Sequence, residues 1–189
     1  MLFVTRLCTG VFGFIVFVLG TCNIMAEKPS RDQEGFCVIT VAPTNPKVYV
    51  EQKTIDANLS PFDLHVMRIG STKQTISSTQ LCDEFDDVLV SKDAYFMTDY
   101  RDHDGMGFGY NVFHTKNGHQ IVVKTTSNTH MEAGKDLADE SITGMVLSGT
   151  GPFVGVIGDY QSKGQFNWKT GQIKGVRQVL RLRKAELGP

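Results

Sequence analysis

The chain has 189 residues, 41% of them hydrophobic and 21% charged, with a formal net charge of −1. That length allows one domain with a tail, and the composition is ordinary for a globular protein. The near-neutral charge lacks the basic footprint of a nucleic-acid binder, so no nucleic-acid partner is expected.

Residues 1–26 are of a different character. Arg6 is their only charged side chain, Leu7 to Gly20 is uncharged and mostly apolar, and the polar Glu27-Lys-Pro-Ser-Arg-Asp32 follows Ala26. A basic start, an apolar middle and a small residue at the cut are the order of a secretory signal peptide. The apolar run of 14 residues is short against the ~20 needed to span a bilayer. Cleavage after Ala26 would leave no membrane span, a flexible lead-in over 27–35 and a single domain over 36–189, in a secreted or periplasmic location. An uncleaved anchor is the alternative. A lipid-attachment reading at Cys22 is weaker, because Thr21 stands where a lipobox has Gly, Ala or Ser. Cys8 and Cys22 leave with the signal. Cys37 and Cys82 remain and form one disulfide in an oxidising compartment, the alternative being two separate buried thiols. With no Cys-x-x-Cys spacing, zinc and thioredoxin-type chemistry have no support.

Along the domain, Phe36 to Ala42 is a β-rich run ended by Pro43, and Lys47 to Gln52 alternates with Val48 and Val50 on one side. Phe62 to Ile69 alternates again, placing Arg68 on a face with Phe62, Leu64 and Val66. Ser71 to Gln80 is Ser/Thr-rich and reads as loop. Leu81 to Leu89 fits either a short helix or a strand. Ala94 to Thr98 is a short strand followed by a polar connection, Asp99 to Gly105. Met106 to His114 alternates with Met106, Phe108, Tyr110, Val112 and His114 on one face. Asn117-Gly118 then predicts a tight hairpin turn into the strand Gln120 to Thr126. Residues 127–140 read as a polar excursion with room for a short helix, and Ser141 to Ser148 as another strand. Val176 to Arg183 sets Leu180 and Leu182 against Arg177, Arg181 and Arg183. Strands at roughly ten-residue spacing, separated by turn signals, predict an all-β antiparallel sandwich or barrel.

The glycine-rich stretch SGTGPFVGVIGDYQSKGQFNW, Ser148 to Trp168, misses G-x-G-x-x-G by one residue. A phosphate loop also needs a helix after its glycines. Here Tyr160, Ser162, Gly164, Phe166 and Trp168 alternate with Gln161, Lys163, Gln165 and Asn167, which is strand periodicity. The glycines then serve bends and bulges, with a turn at Ser148 to Gly151 and a second corner at Gly158-Asp159.

The run ITGMVLSGTGPFVGVIGDYQSKGQFNW, Ile142 to Trp168, resembles a motif of the allene oxide cyclase-like and dirigent-like β-barrel group, most of all its secreted bacterial members. Gly149, Thr150, Gly151, Phe153, Gly155, Val156 and Gly158 fill the motif, while Pro152 and Tyr160 depart from it. The resemblance covers about residues 105–170. It implies an antiparallel, eight-stranded, calycin-like β-barrel, in a group where an apolar cavity is frequent and some members are oligomers.

Asp99, Asp102 and Asp104 miss the calcium-loop offsets and the distal Glu, and the five histidines form no ligand motif, so no metal and no cofactor are expected. No Gly-x-Ser-x-Gly elbow and no activated cysteine is present, so no catalytic residue is assigned. The Arg177, Arg181 and Arg183 stripe reads as a charged outer face that discourages edge pairing. The candidate ligand surface is an inward row of Tyr110, Tyr160, Trp168, Phe108 and Phe166 with Arg68, the one basic residue of an otherwise apolar face. The leading expectation is a non-catalytic β-barrel that binds a small apolar ligand or a protein partner. The alternatives are an enzyme like the cyclases or dirigent proteins of the group, shaping a reactive intermediate in its cavity, and a self-associating structural protein, that is, a homo-oligomer.

Overall fold

The computed structural model describes residues 28–44, 46–57, 65–101, 104–131, 134–167 and 169–185. The expected leader over 1–26, Trp168 and the first residues of the 62–69 strand lie outside them. The fold is all-β: ten strands in one antiparallel sheet. They are β1 (Ser30–Arg31), β2 (Cys37–Val41), β3 (Val48–Asp56), β4 (His65–Gln80), β5 (Val88–Arg101), β6 (Asp104–Thr115), β7 (Gln120–Met131), β8 (Leu137–Gly149), β9 (Val156–Asn167) and β10 (Ile173–Lys184). A single 3-10 turn spans Gly151–Phe153. The order across the sheet is β1-β2-β10-β9-β8-β7-β6-β5-β4-β3.

The expected eight-stranded barrel is corrected here, because the sheet is not closed into a barrel and its order ends at β1 and β3. The sheet curls until its two flanks touch. A lone bridge joins Pro43 to Ile76, flanked by Thr44 N donating to Thr75 O and Ser77 N to Ala42 O, while Lys47 N reaches Gly171 O. Pro43 and Pro46 carry no N–H to donate. The chain from β2 to β3 therefore cannot continue one unbroken ladder, and it divides into two strands.

Three other expectations change. Ser71 to Gln80 is strand, because its Thr and Ser residues pair along β5. Residues 83–85 form a turn, not a helix. Within 127–140, residues 127–131 end β7 and 137–140 begin β8, paired from Ser127↔Ile142 to Met131↔Ala138. The hairpin at Asn117-Gly118 is present, with only Gly118 left-handed (φ +82°). Gly158 lies inside β9 and turns no corner. A Cβ there would come within 1.9 Å of the Arg181 carbonyl oxygen, so Gly158 serves the close approach of β10.

The concave face of the curl is divided along the strand direction. At one end Ile39, Leu89, Phe113, Ile121, Val123, Phe153, Leu180 and Leu182 form a fully buried apolar core. Phe85 stacks on Phe153 there with ring centroids 5.2 Å apart, and the Cys37–Cys82 disulfide ties β2 to the segment after β4. Toward the other end the inward positions turn polar: Thr72 and Gln74 on β4, Thr98 on β5, Thr125 on β7.

Candidate functional site

The inward alternation of each strand carries the site. On β9, Tyr160, Ser162 and Phe166 are buried, as the sequence periodicity predicts, and Tyr160 is 0% exposed. On β10, Leu180 and Leu182 continue the buried row and Gln178 begins the polar half. On β5, Lys92 opens an inward row with Ala94, Phe96, Thr98 and Tyr100. Opposite, β6 contributes Asn111 and Phe113, paired with Ala94 and Lys92. Lys92, Asn111, Ser162, Phe166 and Gln178 are among the side chains, drawn from β3 through β10, that line a cavity of ≈ 100 Å³.

Lys92 lies where the apolar core meets the polar half, and it is only 7% exposed. Its Nζ donates to Tyr160 Oη at 3.3 Å and to Gln178 Oε1 at 3.1 Å. It stands 5.6 Å from the Tyr160 ring centre and 5.9 Å from that of Phe113. Among the described residues no carboxylate pairs with it. Burial, helped by the positive charge of Lys47 and only partly opposed by Glu140, pushes the Lys92 ammonium down to about 7. Burial raises the Tyr160 phenol, against the lowering effect of a hydrogen bond with Ser162, so it stays protonated at neutral pH. Asn111 is 3% exposed, and its Nδ2 has no hydrogen-bond partner among the described residues. A buried donor left in this state costs about 1–3 kcal/mol.

A second charged group lies toward the polar end. Lys47 Nζ is 3.3 Å from Glu140 Oε2 and 4.4 Å from the Phe166 ring centre. Burial pushes the Lys47 ammonium down, but Glu140 outweighs it and the net direction is up. The Arg68 guanidinium lies 5.6 Å from the Tyr100 ring centre. Burial also raises the Tyr100 phenol, whose hydroxyl is 3.3 Å from Thr129 Oγ1.

Of the expected ligand surface, Phe166 and Arg68 line the cavity and Phe108 also borders it, while Tyr160 is buried in the core and meets the cavity through its hydrogen bond with Lys92. Phe108 and Tyr110 are on the opposite face of β6, 56% and 45% exposed. The inward positions of that strand are Gly107, Gly109, Asn111 and Phe113. The correction has a steric cause. A Cβ at Gly109 would fall 1.9 Å from the Tyr95 carbonyl oxygen, so the tightly curled face admits no side chain there. Phe108 and Tyr110 instead join Ile69, Tyr95 and Met97 along a shallow outer groove.

Lys92, Asn111 and Gln178 escape the sequence reading. Lysine is almost never fully buried, and Val90-Ser-Lys-Asp-Ala94 resembles a polar connection. The usable signal was alternation: Lys92 shares its phase with Ala94 and Phe96. The Arg stripe is corrected too, because β10 lies between β2 and β9 and is no edge. Arg181 instead binds Asp32, Glu34 and Asp159 at 2.6–2.9 Å, holding the segment after β1. The acidic cluster disperses: Asp99 meets His65 and Asp104 meets His130.

No helix among the described residues is long and apolar enough to cross a membrane. No family model, curated protein or solved structure matches this chain.

Proposed function

We propose that this is an exported, non-catalytic binding protein whose cavity takes a small polar molecule presenting an oxygen acceptor. The observation that carries the reading is the pairing of two donors in one lining: Lys92 Nζ and the unpartnered Asn111 Nδ2. A carbonyl or carboxylate oxygen between them would satisfy the amide and give Lys92 a further acceptor. The cavity chemistry shifts the expected ligand from apolar to polar. Its ≈ 100 Å³ suits a molecule smaller than the benzene that fills a cavity of about 150 Å³. Export is supported by the order of residues 1–26 and by the Cys37–Cys82 bond. Kinship with the allene oxide cyclase-like and dirigent-like group is part of the same proposal and rests on the Gly149 to Gly158 motif.

The test is thermal unfolding in sodium propionate against sodium chloride of equal ionic strength. Propionate is expected to raise the midpoint, equivalent to about 2.7 kcal/mol when its concentration reaches 100 times the dissociation constant. Asn111→Leu, which removes the unpaired donor at similar volume, is expected to abolish that rise while folding. An equal rise in both salts for the native chain would remove the reading.

A further inference from the structure

We propose that Lys92 is a reactive amine that condenses with a small aldehyde or ketone in the cavity to form an imine. The inference rests on the cavity being a ligand site and names the ligand's reactive group. A neutral amine has two hydrogens and one lone pair. Here the two hydrogens have acceptors, Tyr160 Oη and Gln178 Oε1. The lone pair is the remaining valence of the nitrogen, on a side chain that lines the cavity. No carboxylate holds the ammonium form, and the flanking groups are aromatic rings. A lysine activated by desolvation in this way is a nucleophile. The charged and titratable groups that share its cavity are Lys47, Tyr49, Arg68, Tyr95, Tyr100 and Glu140, and Tyr160 is its hydrogen-bond partner. Glu140 is engaged by Lys47.

The step balances without an oxidant or reductant. The Lys92 lone pair attacks the carbonyl carbon, a C–N bond forms, and the carbonyl oxygen takes up a proton as nitrogen gives one up. The resulting carbinolamine loses its C–O bond. The oxygen leaves as water, carrying a proton supplied by the Tyr160 hydroxyl, which recovers one from nitrogen. The products are an imine and water. Asn111 Nδ2 is placed across the lining to polarise the carbonyl oxygen during attack.

The experiment is reductive trapping of the processed protein with acetaldehyde and cyanoborohydride at pH 7, followed by peptide mapping. Cyanoborohydride adds hydride to the imine, leaving an ethyl group on nitrogen. With its amine half neutral near pH 7, Lys92 offers roughly a thousandfold more free amine than a surface lysine. Lys92 is expected to be alkylated ahead of every other lysine, at a rate that rises to a plateau above pH 7. The peptide map separates it from the α-amino group. Tyr160→Phe is expected to slow trapping by about tenfold or more without moving the pH midpoint far.

Propionate is added in a second arm. Lys92 labelled first and protected by propionate supports both readings. Lys92 labelled first, with neither protection nor a thermal shift, upholds the reactive amine and removes carboxylate binding. Surface lysines labelled ahead of Lys92 overturn the inference, and a surviving propionate shift then leaves the binding reading standing.

Discussion

Lys92 is the residue where local and global demands conflict most. A buried ammonium is costly, and this one has hydrogen-bond acceptors but no counter-charge. Its folded value, about 7, lies below the ordinary lysine value of 10.5. Between those two values the unfolded chain binds more protons than the folded one, so this group makes stability rise with pH across that window. Below pH 7 both states are protonated and the full penalty is present. Lys92→Met removes the titration. Urea unfolding is therefore expected to favour the variant over the native chain more at pH 6 than at pH 10, by up to about 4 kcal/mol. A difference that stays constant with pH would mean that the amine does not titrate between pH 6 and 10. Gly109 and Gly158 are the complementary case. Each is a side-chain position deleted so that neighbouring backbone can approach.

At the scale of the strand, period two was legible and its phase only partly so. On β9 and β10 the large side chains Tyr160, Phe166, Leu180 and Leu182 all fall on the buried phase, which alternation predicts. On β6 apolar character and burial do not coincide. Phe108 and Tyr110 alternate with glycines, and apolar character alone points to the wrong side. Curvature decides the phase, since the inner positions at Gly107 and Gly109 leave no room for a Cβ and the aromatic residues between them must face outward. The difference is measurable. Phe113→Ala, in the fully buried core, is expected to cost about 3–5 kcal/mol in chemical denaturation. Phe108→Ala, on the exposed face, is expected to stay within about 0.5–1 kcal/mol. Equal losses would contradict the assigned phase of β6.

For the whole molecule, the main feature is the division of the interior into a dry end and a polar end. The disulfide sits at the dry end, joining residues 45 positions apart. A loop of that length predicts about 4 kcal/mol of stabilisation through the unfolded chain. The double variant Cys37→Ala, Cys82→Ala is expected to lose a comparable amount in its urea midpoint, and a loss below about 1 kcal/mol would show that the bond constrains little. Composition and alternation by themselves determined the all-β class and the antiparallel pairing of successive strands, because these depend on short-range periodicity. Only the tertiary structure decided that the sheet stays open and which face of β6 turns inward. It alone brought Lys92, Asn111 and Gln178 from three strands to one cavity and set Tyr160 against Lys92. Those outcomes depend on how strongly the sheet curls and on register between strands distant in sequence, and no local pattern encodes either.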